Sequence, residues 1–140
     1  MFKATESLTA ELAVLEANRE FYAAFSRGDF EAMSRLWAEQ APSACLHPGM
    51  NVITGRRAIL DTWRQILTQM SGVEMSCRSA RVHWLGNVAL VTCLEANGKR
   101  PAHLAATNIF LLEAGRWRMV HHQAGPLSEP VPDTADRGAN

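Results

Sequence analysis

Two adjacent histidines stand near the end of the chain, in the segment GRWRMVHHQAGP that spans residues 115–126. An imidazole titrates near neutral pH, so His121 or His122 could act as an acid, a base or a ligand-binding group. The short apolar run before them predicts a strand, and neighbours on a strand point to opposite faces. One histidine is therefore expected to face a pocket while the other faces away from it.

Asn108 is the one polar residue on an otherwise apolar strand face, which it shares with Leu104, Ala106, Phe110 and Leu112. A buried amide needs hydrogen-bond partners, so Asn108 either braces a neighbouring side chain or contacts a ligand. Phe110, two residues further along the same face, is a candidate for the apolar wall of that site.

Glu95 ends a second apolar strand face, formed by Ala89, Val91 and Cys93. A carboxylate among apolar neighbours can have a raised pKa and act as an acid or a base. Glu95 also stands two residues before the Asn97-Gly98 turn, where a solvated or ion-paired acid is ordinary. Both interpretations stay open from the sequence.

Four further side chains could line a site. His47, in the segment CLHPG, could contact a ligand or be fixed by backbone groups in a tight turn. Trp37 and Trp63 fall on apolar helix faces and could form either the core or the wall of a pocket. Tyr22, the only tyrosine, could give its phenol to an oxyanion or lie satisfied in the core.

Metal and nucleophile chemistry are poorly supported. No HxH or HxxxH spacing brings two imidazoles to one face, so we expect no metal site and no cofactor. Neither a Gly-rich phosphate loop nor a Ser-His-Asp signature is present. The three cysteines, an odd count without a CxxC pair, indicate reduced and buried residues of a cytoplasmic protein: Cys45, Cys77 and Cys93.

The composition is that of one globular domain. The 140 residues are 47% hydrophobic and 20% charged, and 14 basic residues balance 14 acidic ones. A net charge of zero gives no electrostatic footprint for nucleic acid or an anionic membrane. The N-terminal segment lacks a signal-peptide core, and no apolar run is long enough to cross a bilayer. We therefore expect a cytoplasmic protein without nucleic-acid or membrane partners.

Three helices are expected in the first half of the chain. Apolar residues at helical spacing predict the first helix over residues 7–27, with a stripe formed by Leu8, Leu12, Leu15, Tyr22 and Phe25. Asp29 is expected to cap a second helix over 30–39, and Gly55 precedes a third over 56–71. Residues 44–54, between the second and third helices, predict a short hairpin.

Four long strands follow, joined by tight turns at Gly86-Asn87, Asn97-Gly98 and Ala114-Gly115, which predicts an antiparallel meander. A curved sheet with helices on one face is an α+β fold, and a small-molecule pocket is expected in the cone between the two layers. We expect a single domain over residues 1–127. Residues 128–140, rich in Pro, Asp and Gly, are expected to form a mobile tail.

Three segments together resemble the SnoaL-like branch of the nuclear transport factor 2-like superfamily. They are FYAAFSRGDFEAMSRLW, HPG with ITGRRAILDTW, and ATNIFLLEAGRWRMVHHQAGP, which lie in one collinear order over about residues 10–126. The resemblance implies a cystatin-like α+β barrel, in which a cone-shaped antiparallel sheet packs against three N-terminal helices. It also implies a homodimer formed through the outer face of the sheet.

The family commonly has a tryptophan, an aliphatic residue and a histidine on the cone-facing side of the last strand. Matched onto this chain, the pattern implies a cone-facing set of Trp117, Met119, His121 and Gln123. His121 is thereby the expected acid or base, assisted by Glu95 or His47, and His122 is expected on the opposite face. A ketosteroid-isomerase-type site would also need aspartates, and none in this chain is suitably placed.

The expected function is binding of a small, largely apolar molecule in the cone. Cofactor-independent acid–base catalysis of the isomerase, cyclase or hydrolase type could accompany it, so the sequence leaves open whether the protein is an enzyme. The alternative is a non-enzymatic dimerisation or partner-binding module whose cone is filled by its own side chains. A hollow cone lined by His121 and Asn108 favours the first function, and a packed, hydrogen-bonded cone favours the second.

Overall fold

Residues 4–133 are described in the computed structural model of the chain. Three helices and six strands follow the predicted order. They are α1 (Ala4–Arg27), α2 (Phe30–Leu36), β1 (Ala44–Leu46), β2 (Ile53–Thr54), α3 (Arg56–Gln69), β3 (Met75–Leu85), β4 (Val88–Asn97), β5 (Ala102–Glu113) and β6 (Arg116–Val131).

The buried face of α1 differs from the stripe predicted for it. Val14, Phe21 and Ala24 have 0% exposure, whereas Leu8 and Leu12 are 57% and 59% exposed. The buried residues recur at intervals of three and four, as one face of a helix requires, and α1 packs mainly against β3. Tyr22 and Phe25 of the predicted stripe are buried and Leu15 is half-buried, so the prediction was wrong only at Leu8 and Leu12. There the buried face is formed by small and polar residues, which carry little hydrophobic signal.

The other two helices follow their predicted caps and faces. The Asp29 carboxylate accepts a hydrogen bond from the Ala32 backbone N–H at 3.0 Å, which caps α2 as predicted. α2 ends at Leu36, earlier than the predicted residue 39. The apolar face of α3 is buried at Ile59, Trp63 and Leu67, which are spaced four residues apart.

The six strands form one sheet in the order β2-β1-β6-β5-β4-β3. The four long strands are antiparallel neighbours, as predicted, and β1 forms the predicted hairpin with β2. β1 also pairs in parallel with β6, which the sequence did not predict. This pairing places Cys45 directly beside His122 and brings His47, just after β1, close to the last strand.

β6 continues beyond the predicted end of the domain. It runs to Val131, which pairs with Ala102 on β5. Residues 128–131, assigned from the sequence to a mobile tail, therefore lie in the sheet. The remainder of that predicted tail, from residue 134 onward, lies outside the described residues.

The core lies between the three helices and one face of the sheet. Large side chains with 0% exposure occupy it: Phe21, Met33, Trp37, Ile59, Trp63, Phe110 and Met119. The result is the predicted α+β fold, with three helices over a curved, open, six-stranded sheet. The protein's own aromatic and apolar side chains pack the centre of the cone.

Substitutions on α1 distinguish the observed face from the predicted one. Phe21→Ala should lower the free energy of unfolding by roughly 3–5 kcal/mol, since it removes a fully buried ring. Leu12→Ala, on the exposed side, should change it by no more than about 0.5 kcal/mol. Urea unfolding measures both, and the reverse order of the two effects would favour the leucine stripe.

Candidate functional site

A β-bulge in β6 decides which of the adjacent histidines faces the helices. Ile109 on β5 pairs with His121, yet its neighbour Phe110 pairs with Met119, so Val120 is skipped in the register between the two strands. The extra residue shifts the alternation of side chains by one position. As a result, Met119 and His122 both lie on the buried face.

This arrangement corrects the predicted orientation of the histidines. His122 is 2% exposed, whereas His121 is half-buried on the outer face of the sheet, beside Ile109. Gln123 is also exposed rather than cone-facing. The prediction assumed strict alternation from Trp117 to Gln123, and the bulge lies between those two residues.

The buried polar side chains form a continuous chain of hydrogen bonds. His122 Nδ1 lies 2.6 Å from Asn108 Oδ1, and Asn108 Nδ2 donates to the Tyr22 hydroxyl at 3.2 Å. The Tyr22 hydroxyl donates in turn to Glu95 Oε2 at 2.7 Å. With the His122 proton assigned to Nδ1, every donor in this chain points toward the Glu95 carboxylate.

Asn18 and two thiols extend the same chain. Asn108 Nδ2 also donates to Asn18 Oδ1 at 2.8 Å, and Asn18 Nδ2 donates to Cys77 Sγ at 3.4 Å. Cys93 Sγ lies 3.2 Å from the Tyr22 hydroxyl. Asn108 therefore braces its neighbours, which is one of the two roles considered for it.

His47 and Trp63 pack against the histidine end of the chain. The Trp63 ring centroid lies 4.8 Å from that of His47 and 5.9 Å from that of His122. His47 Nε2 lies 3.4 Å from Thr62 Oγ1. Trp63 Nε1 is buried and finds no hydrogen-bond acceptor among the described residues. Because a buried unpaired donor is unfavourable, this indole N–H could stabilise an incoming acceptor group.

Burial keeps positive charge out of this cluster. It lowers the pKa of His47 from 6.5 to about 4. Burial, followed by proximity to His47 and His121, lowers the pKa of His122 to about 3. Both imidazoles are therefore neutral at pH 7.

Burial acts in the opposite direction on the acids of the cluster. It raises the pKa of Glu95 above the usual 4.5, although the Tyr22 hydrogen bond partly offsets the effect. Burial and then the neighbouring Glu95 raise the pKa of Tyr22 well above 10.0, so the phenol keeps its proton. None of the ion pairs in the described part of the chain involves Glu95.

A groove of about 540 Å³ between α1 and β3 reaches this polar chain from outside. Its lining includes Leu15, Asn18, Tyr22, Ser26, Met75 and Cys77. Tyr22 is thus shared by the groove and the buried chain, and it connects the groove to Glu95.

The remaining predicted site residues lie elsewhere. Trp37 and Phe110 have 0% exposure and belong to the apolar core. Trp117 is half-buried and packs against Trp84, with ring centroids 5.6 Å apart. The structure therefore brings together five of the predicted residues: Tyr22, His47, Trp63, Glu95 and Asn108. It leaves five outside this cluster: Trp37, Phe110, Trp117, His121 and Gln123.

Sequence reasoning missed Asn18, Cys77 and His122 as members of the cluster. A signal for Asn18 does exist, because it lies four residues from both Val14 and Tyr22 on the buried face of α1. No comparable signal marks His122, since its orientation depends on a bulge defined by the neighbouring strand.

Residues 4–133 contain no group of three or more His, Cys, Asp or Glu side chains that could hold a metal ion. Within the same residues, no helix is both long enough and apolar enough to cross a membrane. The cluster supplies its own donors and acids: the phenol, the carboxyl, the amides, the thiols and the indole.

Comparison with known proteins identifies the family. A sequence model described as the SnoaL-like domain matches residues 14–129. The chain belongs to the SnoaL-like family. A candidate dehydratase of the NTF2-like family from Streptomyces avermitilis is 32% identical to this SnoaL-like domain, covers 86% of it and 98% of its own chain, and has a TM-score of 0.77.

Two further relatives extend the comparison. A candidate calcium/calmodulin-dependent protein kinase type II association domain from Thiobacillus denitrificans is 30% identical, with 80% of this chain and 93% of that chain covered and a TM-score of 0.67. F-box protein SKIP8 of Arabidopsis thaliana is 26% identical over 115 residues, which are 82% of this chain. Because the match covers 50% of SKIP8, this SnoaL-like domain spans about half the length of that relative.

More distant structures share the fold alone. A protein with a cystatin-like fold from Nostoc punctiforme is 13% identical, with 94% of this SnoaL-like domain and 97% of that chain covered and a TM-score of 0.69. Together with the family match, this likeness confirms the predicted superfamily and fold class.

The pH dependence of stability tests the neutral, buried state of His122. The pKa of His122 is about 3 in the folded protein and about 6.5 when the chain is unfolded. At any pH between these two values, His122 therefore takes up a proton when the protein unfolds. The stabilisation is complete above pH ~6.5 and is lost as the pH falls toward 3. Relative to His122→Gln, the wild-type free energy of unfolding should fall by about 1.4 kcal/mol per pH unit over this range.

Urea unfolding between about pH 7 and pH 4 measures this difference. His103→Gln is the matched control, because His103 lies on β5 with an exposed side chain. Its curve should follow that of the wild type. Parallel curves for the wild type and His122→Gln would contradict a neutral buried imidazole.

Proposed function

We propose that this SnoaL-like domain binds a small, uncharged, largely apolar carbonyl compound in the α1–β3 groove and moves a proton on it without a cofactor. The observation that carries the proposal is the pairing of Tyr22 and Glu95, a phenol donor and a buried carboxyl 2.7 Å apart. Tyr22 lines the groove, and Glu95 lies directly behind its hydroxyl.

The charge of the cluster favours an uncharged ligand. Glu95 is buried and the two neighbouring imidazoles are neutral, so the cluster behind the groove offers an anionic ligand no cation. The two charged residues that line the groove itself, Arg19 and Glu74, are opposite in sign. Tyr22, which lines the groove, carries a hydroxyl donor, and this favours a ligand with acceptor atoms.

The groove, rather than the centre of the cone, is the proposed binding position. Asn108 and His122 are 0% and 2% exposed and hydrogen-bonded to each other, which is the packed arrangement that the non-enzymatic alternative predicted. A ligand in the groove leaves this packing intact. It contacts Asn18 and Tyr22 at the groove's inner wall, and the proton transfer requires it to reach Glu95 behind Tyr22.

The proposed proton transfer uses Glu95 as the base. A carbonyl oxygen placed at Tyr22 competes for the phenol proton, and the carboxylate that loses this hydrogen bond becomes a stronger base. Glu95 then takes a proton from the carbon beside the carbonyl, while Tyr22 stabilises the developing oxyanion. The raised pKa of Glu95 suits such a role, and the likeness to a candidate dehydratase adds support, since dehydration is also acid–base chemistry.

Acetylnaphthalene, an uncharged methyl ketone, tests the proposal. In heavy water, the domain should accelerate exchange of the methyl protons for deuterium, and Glu95→Gln should lower that rate by about 10²–10⁴-fold. NMR of the methyl signal gives the rate. Naphthoate, similar in shape but anionic, should compete at least about tenfold more weakly than uncharged naphthalene.

The matched control for this experiment is Glu129→Gln, which changes an exposed acid on β6 and should leave the exchange rate unaltered. Exchange that is absent in the wild type, or that survives Glu95→Gln, contradicts the proposed base. Strong competition by naphthoate contradicts the proposed preference for an uncharged ligand.

We also propose that the domain forms a homodimer through the outer face of the sheet. Half-buried apolar side chains lie on that face, namely Leu90, Leu94, Ile109 and Leu111. A groove of about 700 Å³ crosses it beside Thr92, Thr107 and Gln123. The 30% identity to a candidate kinase association domain supports a role in assembly for this domain.

A charged substitution on this face tests the dimer. Ile109→Glu should convert a dimeric wild type to a monomer, because it buries an unpaired carboxylate at the contact. Light scattering after size-exclusion chromatography measures the mass. Leu85→Glu, at an exposed position next to the β3–β4 turn, should remain dimeric, and a monomeric wild type would contradict the proposal.

The cytoplasm is the compartment that we propose for these functions. Cys45, Cys77 and Cys93 are free thiols in the structure. Free thiols persist in reducing compartments, whereas disulfides form in oxidising ones.

A further inference from the structure

Two of the three cysteines lie side by side beneath α1. Cys77 on β3 pairs with Glu95 on β4, and Cys93 lies two residues before Glu95 on the same face of β4. Cys77 and Cys93 are therefore diagonal neighbours on adjacent strands. Both sulfurs contact side chains of α1, since Cys77 Sγ accepts from Asn18 Nδ2 at 3.4 Å and Cys93 Sγ lies 3.2 Å from the Tyr22 hydroxyl. We propose that Cys77 and Cys93 form a peroxide-responsive dithiol, in which Cys77 reacts first and Cys93 closes a reversible disulfide.

The two thiols differ in access. Cys77 is half-buried and lines the α1–β3 groove, so hydrogen peroxide in that groove can reach its sulfur. Cys93 is 5% exposed, and Cys45 is 0% exposed. Peroxide is therefore expected to meet Cys77 before either of the other thiols.

The surroundings also favour the thiolate of Cys77. Its contact with Cys93, and then an N–H donated by Asn18 to the sulfur at 3.4 Å, lower its pKa despite partial burial. The proximity of Cys77, and then burial, raise the pKa of Cys93, so Cys93 keeps its proton. By contrast, burial raises the pKa of Cys45 to about 12, which makes it an unreactive internal control.

The chemistry needs only the named oxidant. The Cys77 thiolate attacks one oxygen of hydrogen peroxide, the O–O bond breaks, and hydroxide leaves, which gives a sulfenic acid at Cys77. The Cys93 sulfur then attacks the Cys77 sulfur, an S–S bond forms, and the sulfenic hydroxyl leaves with the Cys93 proton as water. The two thiols together lose two electrons, and the peroxide is reduced to water.

The sheet permits the small movement that a disulfide requires. Diagonal neighbours on antiparallel strands have Cα atoms about 7–8 Å apart, slightly beyond the usual disulfide range of about 4.4–6.8 Å. β3 is an edge strand, and its register with β4 shifts between Arg78 and Arg81, directly after Cys77. Ser79, within that irregular segment, has a positive φ of 57°. An edge strand that is already irregular can move toward its neighbour more easily than a central one.

Mass spectrometry of the full chain tests the dithiol. After treatment with hydrogen peroxide and alkylation of the remaining thiols in denaturant, a non-reducing digest should contain one linked pair of peptides, Cys77 with Cys93. Cys45 should be recovered alkylated, and dithiothreitol should release the link. No link at all, or a link that involves Cys45, would overturn the proposal.

Variants separate the roles of the two thiols. In Cys93→Ser, dimedone should trap a sulfenic acid at Cys77, whereas in Cys77→Ser no dimedone adduct or disulfide should form. Cys45→Ala should leave the link unchanged. In the native wild type, iodoacetamide should label Cys77 at least about tenfold faster than Cys45, and equal rates would overturn the assignment of Cys77 as the reactive thiol. These readouts do not depend on the acid–base function proposed above.

Discussion

The bulge at Val120 is the constraint on which the interior of this domain depends. Met119 must face the helices, because it lies among the core side chains and its carbonyl accepts a hydrogen bond from the Ala38 N–H at 3.0 Å. Strict alternation from Met119 would then turn His122 outward, away from Asn108. One extra residue in β6 meets both requirements, so the side chains of Met119 and His122 lie next to each other on the buried face.

Once His122 is buried, the other polar groups of the cluster depend on one another. An amide, a phenol and a carboxyl in an apolar core are each unfavourable unless hydrogen-bonded, and here each is bonded to the next. Removing one member would leave its neighbours unpaired, so the effects of single substitutions within the chain should not be additive. Depressed histidine pKa values and an elevated carboxyl pKa are the electrostatic consequences of the same burial.

The features that the sequence predicted depend on residues near each other in the chain, whereas those that it missed depend on contacts between distant segments. The caps and faces of α2 and α3, the meander, and the polar exceptions Glu95 and Asn108 depend on local periodicity, and local periodicity identified them. The orientation of His122 and the meeting of Cys77 with Cys93 depend on strand register, which is defined by the neighbouring strand rather than by the segment itself. The predicted stripe of α1 was wrong at Leu8 and Leu12 for a related reason, because tertiary packing rather than residue size selects the buried face.

Tyr22 joins these parts, since among residues 4–133 its side chain alone lines the groove, donates to Glu95 and contacts a thiol. A phenol has one proton to donate and two lone pairs to accept with, and here it donates to Glu95 while Asn108 and the thiol of Cys93 approach its lone pairs. A ligand that bonds to this oxygen must therefore replace an existing partner. A hydroxyl donor would displace Asn108 or Cys93 and leave Glu95 bonded. A carbonyl oxygen, which only accepts, can take no place except that of Glu95, and a carbonyl is thus the group whose arrival releases the carboxylate to act as a base.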